Sequence, residues 1–140
     1  MQLSLFLFFG IEEVIDLARE RGLKLALVTT TSFGNVHDIL SATCINRDQF
    51  DVVITNEMVK HAKPEPEAYN LALKKLGLLT KEVIAIEDNL DGLKAAMSAE
   101  LKCFAFPGSV QSGATFADRS IVTHDIFQSV FNIVNECLAA

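Results

Sequence analysis

Residues 83–96, VIAIEDNLDGLKAA, place two adjacent carboxylates, Glu87 and Asp88, directly after an apolar run. Residues 83–86 are apolar without alternation, which is typical of a strand that is buried on both faces of a parallel sheet. Residues 90–100 then predict a helix. Two neighbouring carboxylates repel each other unless a cation lies beside them, so this pair calls for a chemical explanation.

The alternation of strands and helices continues along the whole chain. Apolar runs predict strands at 3–9, 23–28, 50–54, 83–86, 102–106 and 120–122. The helical segments that we predict are 11–21, 35–42, 63–77, 90–100 and 125–138. Unbroken apolar strands separated by helices indicate an α/β fold with a doubly wound parallel sheet in three layers, α/β/α.

Composition limits the class of protein. A length of 140 residues, half of them hydrophobic, predicts a single domain over 1–140 with its own core. The net charge of -6 without a basic cluster excludes nucleic acid and an anionic membrane surface as partners. Three cysteines without a CxxC motif indicate reduced thiols in a cytoplasmic protein. The apolar N-terminal run is too short to span a bilayer and lacks the features of a signal peptide, so we expect it to belong to the fold.

Chemistry is expected beyond the carboxyl ends of the strands, where ligands bind in sheets of this type. Thr29 and the three hydroxyl residues after it follow the second apolar run, and they offer hydroxyls and backbone N–H groups to an anion. Lys63 lies at the Pro-rich start of a helix, where phosphate is favoured. Glu87 and Asp88 supply the oxygen ligands that Mg²⁺ prefers. The three strand ends together predict a site for a phosphate and its metal.

Three stretches carry a family resemblance: LALVTTTS (25–32), KPEPEAY (63–69) and VIAIEDNLDGLKAA (83–96). In this order and spacing they resemble motifs two, three and four of the haloacid dehalogenase superfamily, most closely its phosphoglycolate phosphatase and beta-phosphoglucomutase-like branch. The resemblance covers roughly residues 9–125. It implies a Rossmann-like core and a magnesium-dependent phosphatase or phosphomutase, a phosphoric monoester hydrolase by family. The implied partner is a small phosphorylated metabolite or inorganic phosphate.

The resemblance also implies roles for individual residues. The Thr29 hydroxyl and the Thr30 backbone N–H would bind phosphate, and Lys63 would bind phosphate and act as the catalytic cation that neutralises phosphate and nucleophile. Asp88 would ligate magnesium, and Glu87 would support the metal directly or through water.

One motif of the family is missing from this sequence. Family members carry an Asp-x-Asp-Gly-Thr stretch after the first strand, whose first Asp is the nucleophile and whose second is the general acid and base. No Asp precedes Asp16, which lies in the middle of a predicted helix. The helical cap that selects the substrate is absent as well. The resemblance therefore predicts a core without a cap, truncated at its N-terminal side, inactive as this chain and weak in magnesium binding.

Residues 1–9 allow two interpretations. FFGIEEVIDLARERG (8–22) resembles the return from the cap in family members, which indicates a phosphatase shortened up to that point. LSLFLFF (3–9) could instead replace the missing central strand, because omitting that strand would leave unpaired backbone groups in the core. Both interpretations hold together if the shortened chain fills the gap with its own N-terminus.

Two other classes of function stay open at this point. A non-catalytic binding or interaction module would keep the phosphate and metal site without turnover, and a degenerate fragment would have no chemistry. A receiver-type signalling domain would use Asp88 as its phosphate acceptor, but the KPEPEAY stretch argues against it. An incompletely covered sheet would also allow self-association.

Overall fold

The computed structural model describes residues 10–105, 120–122 and 125–139. The helices in these ranges are α1 (Ile11–Glu20), α2 (Phe33–Ser41), α3 (Glu67–Leu76), α4 (Leu90–Ser98) and α5 (Ile126–Ala139). The strands are β1 (Ala26–Val28), β2 (Val52–Ile54), β3 (Ile84–Glu87), β4 (Lys102–Ala105) and β5 (Ser120–Val122). Single 3₁₀ turns occupy Arg47–Gln49, Asn56–Met58 and Thr80–Glu82.

All pairs of described strands are parallel, and they form two sheets. β1 pairs with β2, with Ala26 opposite Val52. The second sheet has the strand order β3-β4-β5, with Ile84 opposite Lys102. The predicted α/β class with a parallel sheet is confirmed. Within the described ranges β1 and β3 do not pair with each other, and the central strand that we predicted at residues 3–9 lies outside these ranges.

The strands expose alternating residues to two helical layers, as the two-residue period of a strand requires. Side chains on one face pack with α1, α2 and α5, and they are Leu27, Val53, Ile84, Ile86 and Phe104. Side chains on the other face pack with α3 and α4, and they are Ala26, Val28, Val52, Ile54, Ala85, Cys103 and Ala105. The three-layer α/β/α arrangement follows from these two cores.

Element boundaries differ from the predicted ones for local reasons. The predicted helix 63–77 begins only at Glu67, because a proline restricts the residue before it and cannot donate a helical hydrogen bond. The predicted strand 23–28 begins only at Ala26, since Leu23 lies exposed in the turn after α1. Helix α2 begins at Phe33 rather than at residue 35, with the Ser32 side chain as its N-cap.

Between the two sheets the described residues line a cleft of about 1150 Å³. It is lined from Lys24 and Glu82 at one end to Thr29 and Asp88 at the other, with β1 and β3 on its two sides. The predicted replacement strand, residues 3–9, lies outside the described residues. The longest described helix has 14 residues, and each helix in these ranges falls short of the length and apolar content that a bilayer crossing requires.

Candidate phosphate-binding site

Lys63 connects the carboxyl ends of β1 and β3, which belong to different sheets. Its Nζ donates a hydrogen bond to the backbone oxygen of Val28, the last residue of β1, at 3.0 Å. The same ammonium forms an ion pair with Glu87 Oε1, at the end of β3, at 2.5 Å. The Lys63 side chain is only 8% exposed. A cation is therefore fixed where β1 and β3 end.

Glu87 is a carboxylate in an apolar layer. It lies two residues after Ala85 in β3, so its side chain is on the same face of the strand, towards α3 and α4, and it is buried. Its Oε1 accepts a second hydrogen bond, from the hydroxyl of Tyr69 on α3. Burial and the charge of Glu87 raise the pKa of the Tyr69 phenol well above its ordinary value, so the phenol remains a donor. The Lys63 ammonium also lies 5.1 Å from the centroid of the Tyr69 ring, within cation–π range.

Gly92 gives the Glu87 carboxylate the space that it needs. A Cβ atom built on Gly92 would lie 1.9 Å from Glu87 Oε2, which no real Cβ could tolerate. The Gly92 backbone N–H donates to the Oδ1 of Asn89, the N-cap of α4, at 2.8 Å. The first turn of α4 therefore passes directly over the buried carboxylate.

The threonines after β1 present polar groups at the same end of the cleft. The Thr29 N–H bonds to the backbone oxygen of Ile54 at 3.0 Å, which extends the ladder by one residue. Its Oγ1 accepts from the Thr31 N–H at 3.1 Å, so the hydroxyl hydrogen remains available for donation. Thr30 is exposed, and no acceptor within the described ranges binds its N–H.

Asp88 follows Glu87 but lies in a different environment. It is partly exposed, and its Oδ1 accepts a hydrogen bond from the Asn89 side-chain amide at 2.9 Å. No group of three or more His, Cys, Asp and Glu side chains in the described part of the chain is arranged to hold a metal ion. Since Mg²⁺ requires an octahedron of oxygens, the described carboxylates fit this ion only in part.

The structure thus brings together the residues that the sequence singled out. The end of the cleft beyond β1 and β3 is lined by Thr29, Thr30, Lys63, Glu87 and Asp88. Their juxtaposition follows from parallel pairing, which puts the carboxyl ends of the strands at one edge.

Sequence reasoning missed two residues near this site, Tyr69 and Glu67. Tyr69 is the one polar side chain on the buried face of α3, a signal that helical periodicity contains; its buried companions are Ala68, Ala72, Leu73 and Leu76. The carboxylate of Glu67 accepts from the backbone N–H of Lys60 at 2.8 Å and from that of His61 at 2.9 Å. Glu67 therefore closes the loop that leads to Lys63.

Comparison with known proteins identifies the family. The haloacid dehalogenase-like hydrolase family matches residues 2–106. Protein CbbY of Cereibacter sphaeroides is 40% identical over 111 residues, which are 77% of this chain and 48% of that protein. The phosphorylated carbohydrates phosphatase of Thermotoga maritima is 28% identical over 130 residues, which are 92% of this chain and 60% of that protein.

A solved structure agrees with these sequence relatives. The crystal structure of a CbbY variant from Rhodobacter sphaeroides in complex with xylulose-(1,5)bisphosphate has a TM-score of 0.76 and 35% identity, and the match covers 86% of this chain and 54% of that one. The chain thus spans between about half and three fifths of the length of the relatives that it matches. The resemblance to the phosphatase branch is confirmed: the chain belongs to the haloacid dehalogenase-like hydrolase family.

Proposed function

We propose that this chain binds the phosphoryl group of a small phosphorylated metabolite, as part of a magnesium-dependent phosphatase or phosphomutase core, and that by itself it turns over no phosphate ester. The supporting observation is the buried Lys63 ammonium, held by Val28 and Glu87 at the ends of two strands. A fixed cation at this edge attracts phosphate. The threonines that follow Val28 supply neutral donors beside it.

The donors suit a tetrahedral anion. A lysine ammonium has three N–H groups, and Val28 and Glu87 account for two of them. The third N–H, the Thr29 hydroxyl and the Thr30 amide provide donors of three kinds for phosphate oxygens. The hydrogen bond from the ammonium would be charge-assisted and therefore the strongest of the three.

A phosphorylated sugar is the substrate class that we propose. One relative is named as a phosphatase of phosphorylated carbohydrates, and the CbbY variant was solved with xylulose-(1,5)bisphosphate. These statements concern those proteins. The shared family and the cation at the strand ends support their extension to this chain.

Magnesium is the cofactor that we propose, with Asp88 as a ligand and Glu87 in a supporting role. Magnesium supplies charge neutralisation to a phosphoryl group when it is bound. Glu87 already shares one oxygen between Lys63 and Tyr69, so the described residues offer an incomplete set of ligands. We expect weak magnesium binding by the chain alone.

The absence of turnover rests on the missing nucleophile. Phosphoryl transfer depends largely on positioning and on charge neutralisation, but this family's route also requires an attacking carboxylate. The sequence has no Asp before Asp16, which lies within α1. A non-catalytic phosphate-binding module would behave in the same way in a binding assay, so turnover has to be measured separately.

Calorimetric titration with inorganic phosphate tests the binding proposal. Lys63→Ala should weaken phosphate binding by roughly ten- to a hundredfold, as expected for the loss of a charged hydrogen bond. Lys24→Ala is the matched control, because Lys24 Nζ also donates to a backbone oxygen, that of Leu76, but at the opposite end of the cleft. Equal affinities of the two variants would refute the assignment of Lys63.

A phosphatase assay with p-nitrophenyl phosphate and excess magnesium tests the absence of turnover. The 140-residue chain should show no hydrolysis above background. Turnover by the wild type that disappears in Asp88→Ala would contradict the proposal and would require another nucleophile.

A further inference from the structure

We propose that the Tyr69 hydroxyl is a positioning group of this site: it fixes the Glu87 carboxylate, which in turn holds the Lys63 ammonium at the strand ends. The part of this inference that concerns phosphate rests on the proposed function. The part that concerns Lys63 and Glu87 does not.

Tyr69 contacts both members of the ion pair. Its hydroxyl donates to Glu87 Oε1, the same oxygen that receives the Lys63 ammonium, and the Lys63 Nζ lies 5.1 Å from the centre of its ring. One carboxylate oxygen thus joins a helix, a strand and the Lys63 loop. All three side chains are buried or nearly so.

The hydroxyl is not required to fill space. Tyr69 packs among apolar side chains of α3, α4 and the strands, where a phenylalanine would occupy nearly the same volume. A hydroxyl in such a layer is costly unless it is hydrogen-bonded, and its partner here is Glu87. The specific contribution of tyrosine at this position is therefore its bond to the carboxylate.

A bound phosphate makes that bond more important. Phosphate would accept the third N–H of the same ammonium and share its charge, which weakens the ion pair between Lys63 and the buried carboxylate. A buried charge that loses a partner is strongly unfavourable. The Tyr69 hydroxyl provides a second donor to Glu87 when the charge of the ammonium is shared with the ligand, and it keeps the carboxylate in place.

Two measurements report on this arrangement without any ligand. The first is the labelling rate of Lys63 by an amine-reactive reagent, followed by mass spectrometry relative to the other lysines of the intact chain. The second is tyrosine fluorescence, which comes from Tyr69 alone because the chain has one tyrosine and no tryptophan. A hydrogen-bonded carboxylate quenches this emission, so Glu87→Gln should brighten it.

Tyr69→Phe keeps the ring and removes the hydroxyl. We expect the variant to have the circular dichroism of the wild type, with Lys63 labelled roughly three- to tenfold faster and phosphate bound weaker by a similar factor, as expected for the loss of one hydrogen bond. Leu73→Met is the matched control, because it changes the same apolar layer without touching a polar group, and it should alter neither quantity.

The outcomes separate this inference from the proposed function. If phosphate binds the wild type and Tyr69→Phe equally and Lys63 is labelled at one rate in both, Tyr69 has no positioning role and the phosphate site stands. If Lys63 labelling rises in Tyr69→Phe while the wild type binds no phosphate, the positioning role stands and the proposed function is wrong. Should Tyr69→Phe fail to fold, unchanged fluorescence in Glu87→Gln would overturn the inference.

Discussion

Glu87 and Asp88 are neighbours in sequence, but they lie in different environments. The strand period places Glu87 on the side of Ala85, facing α3 and α4, whereas Asp88 lies beyond the last paired residue and is partly exposed. A buried carboxylate costs several kcal/mol unless it is paired and hydrogen-bonded, and Lys63 and Tyr69 meet that requirement. Glu87 therefore holds Lys63 and Tyr69 in the interior of the site, and Asp88 lies at its edge.

Gly92 provides the test at the scale of a residue. Glycine in a helix normally costs about 1 kcal/mol relative to alanine, so Gly34→Ala in α2, where no atom lies within 4 Å of the new Cβ, should stabilise the protein by up to that amount. Gly92→Ala in α4 should instead destabilise it by about 1–3 kcal/mol, because the methyl group would overlap Glu87 Oε2. Urea unfolding measures both. Stabilisation by Gly92→Ala would contradict the close approach of α4 to Glu87.

Glu67, the first residue of α3, holds the loop that precedes the helix. Two prolines delay the start of the helix to Glu67, and the Glu67 carboxylate then receives the backbone N–H groups of Lys60 and His61. The N–H of Lys60 is the largest cause that lowers the pKa of Glu67 below its usual value of 4.5. The element thus fixes the backbone just before Lys63.

A pH titration tests this loop at the scale of the element. Because the pKa of Glu67 is lowered in the folded state, the ionised carboxylate stabilises the fold. This stabilisation should be complete above pH 4.5 and lost as the pH falls through the folded-state pKa. The amide resonances of Lys60 and His61 in NMR spectra should therefore shift in a step below pH 4.5. Glu67→Gln should abolish that step, and Glu65→Gln, at an exposed neighbour, should preserve it. A step that persists in Glu67→Gln would assign it to another carboxyl group.

At the scale of the whole molecule, the question is whether residues 3–8 form a strand that fills the cleft between the two sheets. Helix α1 is joined to β1 by the short turn 21–25, so α1 runs against β1 and begins near the edge where the strands end. A strand that leads into Gly10, which has φ 98°, would run parallel to β1. Six residues span about 20 Å, which matches the six positions from Lys24 to Thr29 along the cleft. Residues 3–8 lie outside the described ranges, so this strand stays a prediction.

Truncation of a side chain in that segment tests the prediction. If residues 3–8 fill the cleft, Leu5→Ala should lower the free energy of unfolding by about 2–5 kcal/mol, the usual cost of emptying a buried leucine site. Gln2→Ala should change it by no more than about 0.5 kcal/mol, as surface substitutions do. Equal denaturation midpoints for both variants would show that this segment is not part of the core.

Most of the fold and part of the site could be predicted from the sequence. Apolar runs located the strands to within a few residues, because burial on both faces leaves no room for polar alternation. Thr29, Lys63 and Asp88 could be placed at one edge, since parallel strands end on the same side. The start of α3 at Glu67 was not predicted, because we took the prolines as the helix start although their restriction reaches the residue before each of them.

By itself the sequence determined the layers and the strand ends, which are matters of periodicity and residue type. Only the tertiary structure decided which groups meet Glu87. The alternation of β3 predicts that Glu87 faces a helical layer. It does not predict that Tyr69 and Gly92 lie in that layer, or that Lys63, in the loop between β2 and α3, contacts Glu87. Such contacts join residues far apart along the chain, and they depend on how the helices pack across the strands, which no local pattern specifies.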